Sequence, residues 1–379
     1  MAFPDLKKRK QRKSAALSAA IILLISAAGC TGSASGRTTG LVGINLNQVG
    51  YRTNAVKRAF VTGYEGAWRI VGSNGKTVLS GETAPAGFDP LAGDEIARID
   101  FDGLTRPGEY RIVLSAAGIE SYPFTVDDDP YGALADALLK NFYFQRCGTA
   151  LTEEYAGMYA HSACHTRPAV LYGTDTQIDV TGGWHDAGDY GRYSEPGACA
   201  AAMLLLAYDS FPGLFGDDLG IPESGNGVPD ILDEVRWELD WLMKMQDPAT
   251  GGVFHKAASV RFPGFVMPEK DYSTIAVHAV SPTATAATAA VLAQAARIWR
   301  GIDVEYASVL LEAAEFAYGW IIANTGAPGF KNPPGVESGE YGDASAADES
   351  FWAAMELYRT TGRETCRDQG TVFRSEIRS

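Results

Sequence analysis

Two carboxylates three residues apart, Asp186 and Asp189, stand in the run Gly182-Gly183-Trp184-His185-Asp186-Ala187-Gly188-Asp189-Tyr190-Gly191-Arg192-Tyr193. Ala187 and Gly188 separate them and permit a tight turn, because glycine follows backbone paths that β-branched residues resist. Such a turn brings both acid groups to one small volume, where a carboxylate can take a proton from water. Trp184, Tyr190 and Tyr193 surround the acids with flat apolar faces. That suits a sugar ring, which is apolar on its face and polar at its rim. An isolated D-x-x-D pair also fits a helix N-cap or turn in which the aspartates only satisfy backbone N–H groups.

The twelve-residue run as a whole is far more specific, and it resembles the signature of glycoside hydrolase family 9, the inverting cellulases. Four further segments look like that family in family order: Phe142 to Gly148, Asn226 to Glu234, Trp237 to Gln246, and Asp348 to Ala354 continuing through Tyr358. Gly251-Gly252-Val253-Phe254-His255-Lys256 looks like a loop along the substrate cleft, although a simple glycine turn closed by an aromatic explains it equally. The resemblance implies hydrolysis of β-1,4-glucosidic bonds in cellulose or a related β-glucan. It makes Asp189 the general base and gives Asp186 a hold on the same water. It marks Trp184, Tyr190, Tyr193 and His255 as substrate-binding residues.

Inversion needs a second carboxyl group, about 6.5–9.5 Å from the base, to protonate the leaving oxygen. In the family this is a Glu near the end of the catalytic domain, beyond a His-containing segment. Neither is visible before Ser379, Glu349 and Glu356 do not match the donor's motif, and residues 364–379 offer no apolar face that can be phased. The expectation is therefore a truncated or frame-shifted family member. The alternatives to an active hydrolase are an inactive fragment that binds sugar or zinc, and a surface lipoprotein that only binds partners.

Metal chemistry is suggested twice. Cys147, Cys164, His165 and His185 are two soft and two borderline ligands, a set that favours zinc. Their spacing is not that of a zinc finger, and a Cys147–Cys164 disulfide is the alternative in an exported protein. Family members with an immunoglobulin-like module carry a structural zinc on two Cys and two His in this arrangement. A zinc on His185 would pin the loop that carries both acids, and four protein ligands would leave it no open position for Lewis-acid work. Asp230, Asp233 and Glu234, after the loop Glu223-Ser224-Gly225-Asn226-Gly227-Val228-Pro229, offer hard oxygen ligands for calcium. Family relatives often bind calcium here, and a glycine-rich turn with acids at a helix start explains the same residues.

The elements that must position these groups fall into two regions. Residues 41–127 carry short apolar runs broken by Gly, Asn, Pro and Asp about every ten residues, the spacing of a β-sandwich. The run Asn45 to Tyr51 resembles the start of the immunoglobulin-like module that precedes many family 9 catalytic domains. No paired carboxylates, His cluster or nucleophile stand out there. Its expected role is support, and a carbohydrate-binding module would rest on Trp68 alone. From Tyr131 helical periodicity takes over, with helices expected at 131–146, 196–211, 229–246, 283–299, 303–323 and 346–361. No strand-sized runs alternate with them, which disfavours an α/β barrel. The fold class expected is thus an immunoglobulin-like β-sandwich followed by an all-α domain over 128–365, which the resemblance makes a partial (α/α)6 barrel, with an unpatterned tail at 366–379.

The N-terminus reads as an export signal. Lys7 to Lys13 is basic, Ala15 to Ala28 is apolar but short for a membrane span, and Ser26-Ala27-Ala28-Gly29-Cys30 resembles a bacterial lipobox. A Thr/Gly/Ser-rich linker covers 31–40. Cleavage at Cys30 would give a lipoprotein, periplasmic or on the cell surface; ordinary cleavage nearby would give a secreted protein. The net charge of −14 over 379 residues argues against nucleic acid and anionic membrane as partners, so any membrane contact runs through the lipid anchor.

Overall fold

The computed structural model describes residues 36–377. Cys30 and the export segment lie outside these residues. They divide into two compact units, meeting in sequence between Pro130 and Tyr131.

The first unit is all β. Its strands are β1 (Gly36–Asn45), β2 (Tyr51–Arg52), β3 (Arg58–Gly72), β4 (Thr77–Glu82), β5 (Ala84–Asp89), β6 (Asp94–Asp100), β7 (Gly108–Leu114), β8 (Ile119–Glu120) and β9 (Phe124–Asp127). Strand β1 begins at Gly36, inside the stretch expected to be linker. Where short runs broken about every ten residues were expected, β3 is one long strand of 15 residues. Its first half pairs with β1 and β6 and its second half with β4 and β7. Alternate residues Ala59, Val61, Trp68 and Ile70 are buried, as the period-two pattern of a one-sided strand requires. They close on Ile99, Phe101, Ile112, Phe124 and Val126 in one apolar cluster.

The second unit is mainly helical: α1 (Gly132–Phe144), α2 (Glu153–Ala156), α3 (Ser194–Ser210), α4 (Asp230–Lys244), α5 (Pro282–Trp299), α6 (Val304–Ala323), α7 (Ala347–Thr361) and α8 (Glu364–Glu376). Helix α5 is the centre of the core: from Pro282 to Trp299 only Arg297 and Ile298 escape burial. Its Ala-rich faces let α3, α6 and α7 approach closely, and Ser281 caps its start by accepting from the Ala284 N–H. The tail is a correction. Residues 364–376 are helical, and Cys366, Gly370 and Phe373 form the buried face. Two of those three are small, which is why hydropathy gives no phase. A small sheet was also not foreseen: β10 (Ala169–Leu171), β11 (Gln177–Ile178), β12 (Arg192–Tyr193), β13 (Lys256–Ser259) and β14 (Ile275–Val277), in the order β11-β10-β14-β13-β12. Strand β12 leaves the acid-bearing run and β13 leaves the 251–256 loop, so the sheet joins the two segments that matter for chemistry. Among the described residues no helix is long and apolar enough to cross a membrane.

Candidate active site and the metal-binding group beside it

The acid turn is anchored at both ends. At its entry the backbone pairs with the end of α1: Cys147 N–H donates to Gly183 O and His185 N–H to Gln145 O, both at 2.8 Å. At its exit Asp186 N–H donates to Gly191 O at 2.8 Å, closing a six-residue loop around both carboxylates. Gly191 is needed for this closure, because a Cβ there would stand 2.8 Å from both Asp189 Oδ2 and the Tyr193 ring. Trp184 fastens the entry to α4. Its backbone N–H donates to Glu238 at 2.7 Å and its indole N–H to Glu234 at 2.8 Å. Glu234 is held in turn by the buried Arg146, which also binds Glu223.

Each carboxylate receives one phenol. Tyr193 O–H donates to Asp189 Oδ2 at 2.7 Å, and Tyr341 O–H donates to Asp186 Oδ2 at 2.7 Å. The other oxygen of Asp189, Oδ1, is buried without a protein partner. A buried carboxylate oxygen with nothing to accept from is costly unless a water or substrate hydroxyl fills the place. Desolvation and the nearby Asp189 charge push Asp186 up, against the pull of the Tyr341 hydrogen bond. The Asp186 bond pushes the Tyr341 phenol up to about 12, so it remains a donor at neutral pH.

The four expected metal ligands converge. One donor atom from each of Cys147, Cys164, His165 and His185 lies within 4.8 Å of the others. Both cysteines are free, so the disulfide alternative is not formed. His165 Nε2 donates to Asp271 at 3.1 Å, leaving Nδ1 buried and unpartnered. An imidazole oriented by a carboxylate, with its other nitrogen free, is the usual state of a histidine metal ligand. The Cys147 thiol, with both imidazoles, pushes Cys164 far down, while burial pushes His185 down and favours its neutral, ligating form. The donor set fits zinc on all these counts. Tyr190 packs its ring on His165 and His185 and reaches Val266 O with its hydroxyl. The three non-glycine residues at positive φ among those described, His165, Tyr190 and Tyr341, all lie here. Strain of this kind persists where the surroundings over-determine the backbone.

A model of the family described as glycosyl hydrolase family 9 matches residues 131–377. The chain belongs to glycosyl hydrolase family 9. Residues 42–118 match the cellulase N-terminal ig-like domain. A cellodextrinase of Butyrivibrio fibrisolvens is 42% identical over 321 residues, covering 83% of this chain and 58% of the relative. A metagenome-derived family 9 endoglucanase structure is 37% identical with a TM-score of 0.81, covering 89% of this chain and 64% of that one. A Zn-binding triple mutant of the family 9 endoglucanase J30 is 34% identical with a TM-score of 0.78, covering 83% and 61%. The chain thus spans less than two thirds of the length of these relatives.

Several expected roles in this family 9 chain need correction. Trp184 is only 6% exposed and packs on Phe142, so it anchors the acid turn and offers no platform to a sugar. Tyr193 is 3% exposed and contributes its hydroxyl to Asp189, with its ring face covered. His255 is 1% exposed, stacked on Phe330, and uses both ring nitrogens, on Ser281 Oγ and Glu340 O. It holds the loop segment at Glu340. Glu234 is turned inward to Arg146 and Trp184 and does not join the expected oxygen ligands; Asp217 does, with Asp230 and Asp233. Sequence reasoning missed Tyr341, whose signal was slight: one aromatic between glycines in a polar loop. It also missed Asp271 and Glu238, single acids whose partners lie far off in sequence.

Proposed function

We propose that this chain carries the water-activating carboxylates of an inverting β-1,4-glucan hydrolase. The observation that carries the reading is the buried, unpartnered Oδ1 of Asp189, on a carboxylate whose other oxygen is fixed by Tyr193. A water accepted there sits against a base whose lone pairs are oriented in advance. Asp186, fixed by Tyr341, holds the same water. Proton donation to the leaving oxygen falls to a further carboxyl group beyond these two. Cellulose-type glucan is the substrate class that the relatives' names, cellodextrinase and endoglucanase, support. Asp186 is solvent-exposed and Asp189 partly so, which suits attack on an extended polymer. In this reading the helices belong to an (α/α)6 barrel.

Zinc held by Cys147, Cys164, His165 and His185 would lock His185 and, with it, the neighbouring Asp186. Calcium would fall to Asp217, Asp230 and Asp233. Export, with a lipid on Cys30, completes the proposal; detergent-phase partition that Cys30→Ser abolishes would support the lipid.

The test is hydrolysis of carboxymethylcellulose and of a short cello-oligosaccharide, followed by proton NMR of the first product. Inversion of a β-linkage releases the α-anomer. Asp189→Ala should lower kcat by about 10²–10⁴-fold, the usual share of one acid–base group. A β-anomer product, or an Asp189→Ala variant of undiminished rate, would overturn the assignment.

A further inference from the structure

Lys256 is fully buried, a rare state for a lysine unless its ammonium is paired. Its Nζ lies within hydrogen-bond distance of four oxygens of one loop: Asn332 Oδ1 at 2.7 Å, Ser338 O at 3.2 Å, Ser338 Oγ at 3.2 Å and Gly339 O at 2.7 Å. Next to it on the same segment, His255 Nε2 donates to Glu340 O at 2.7 Å. Two consecutive side chains at the start of β13 therefore grip three consecutive carbonyls, those of residues 338, 339 and 340. The gripped loop is the one that serves the acids. Gly339 N–H donates to the Tyr193 hydroxyl at 3.0 Å, and that hydroxyl donates to Asp189. Two residues on, Tyr341 donates to Asp186 from a backbone at φ 44°.

The geometry points to Lys256 as the positioning residue for both carboxylates, acting through the 332–341 loop on the phenols of Tyr193 and Tyr341. Beyond these oxygens the ammonium stands 5.8 Å from the centre of the Tyr193 ring and 5.5 Å from that of Phe330. Its bonds are to neutral oxygens, and burial pushes it down to about 8 against the pull of Glu340 and Asp189. A charge-assisted donor of this kind holds a loop more firmly than neutral bonds do. The active-site importance of this device rests on the hydrolytic reading of Asp186 and Asp189; the device itself does not.

The two can be separated by NMR of the full chain labelled with 13C at the tyrosine ζ-carbon, near neutral pH. The Tyr341 and Tyr193 signals are assigned with Tyr341→Phe and Tyr193→Phe. Lys256→Met should move the Tyr341 signal to the position of an exposed, unbonded phenol and narrow it, with a smaller shift for Tyr193. Lys256→Arg should restore part of the shift. Tyr306, bonded to Asp240 at 2.7 Å elsewhere in the same unit, is the control for folding. Should Lys256→Met lose the Tyr306 signal, Asn332→Ala carries the test, with the same shift at lower amplitude. Unmoved Tyr341 and Tyr193 signals in a folded variant would overturn the inference. On glucan, kcat should fall on the order of tenfold with KM little changed, the signature of a misplaced group. A chain that turns over no glucan would sink the hydrolytic reading and leave the phenol shifts standing.

Discussion

The helical unit gathers two groups of metal-capable side chains, and they differ in what their donor atoms already do. In the Cys147, Cys164, His165 and His185 group the donors face one another. Cys164 Sγ lies 3.7 Å from His185 Nε2, and His165 Nδ1 has no partner. In the Asp217, Asp230 and Asp233 group the carboxylates are already occupied. Asp217 accepts from the Gly225 and Gly227 N–H groups, Asp230 from the Leu219 N–H and the Ser224 hydroxyl, and Asp233 from the Asn226 amide. The first group turns its donors on one another, whereas the second already shapes a loop. Their reach differs as well. His185 is bonded in sequence to Asp186, while Asp230 and Asp233 lie on α4, whose Glu234 and Glu238 hold Trp184.

The largest expected effect tests the first half of this contrast. Purified chain should carry about one zinc by elemental analysis, and Cys164→Ser should carry none. The variant's Tm should drop by on the order of 10 °C, since a metal that binds only the folded state adds its binding energy to folding. A zinc-free wild type, or a variant that keeps both zinc and Tm, would erase the distinction.

A smaller effect is expected from the acidic group. Millimolar calcium should raise the Tm of the wild type, by about 2.7 kcal/mol of stabilisation at a hundredfold excess over Kd. Asp217→Asn should remove that response and leave the zinc content intact. A calcium response that survives Asp217→Asn but is lost in Glu234→Gln would restore the sequence-based ligand set.

The smallest effect is in the pH profile without calcium. Desolvation, then the charges of Glu223, Asp230 and Asp217, push Asp233 up to about 6 against the pull of Asn226. Between the ordinary carboxylate value and about 6 the folded chain holds a proton that the unfolded chain has released. Stability contributed by this group is therefore present at the acid side of that window and lost as pH rises through it. Denaturation midpoints at pH 4.5 and 7 should show the slope in the wild type, and Asp233→Asn should flatten it. An unchanged slope would mean that Asp233 is not the group responsible.

The helices were legible because their apolar positions repeat at helical spacing over many residues. Helix α4, expected at 229–246, runs Asp230–Lys244, and α6, expected at 303–323, runs Val304–Ala323. The small sheet was not legible, since strands of two to four residues are too short to display a period. Helix α8 was missed for a different reason, its buried face being largely Cys366 and Gly370. On α4, Glu234 and Glu238 stand four apart on a face the fold buries, so an acid expected to bind calcium and one with no expected role both became anchors for Trp184.

By itself the sequence determined the family and the order of a β unit and a helical unit, and it picked out the acid pair and the four Cys/His side chains that the fold gathers. These are carried by short runs whose residue types are tied to their chemistry: a glycine-bearing turn brings two carboxylates together, and thiols with imidazoles gather a soft metal. Only the tertiary structure decided which aromatics serve as donors and which as packing, that Asp217 replaces Glu234, and that Lys256 ties the loop behind both phenols. Those outcomes depend on which side of a helix or loop is buried and on partners up to 155 residues away in sequence, the separation of Tyr341 from Asp186.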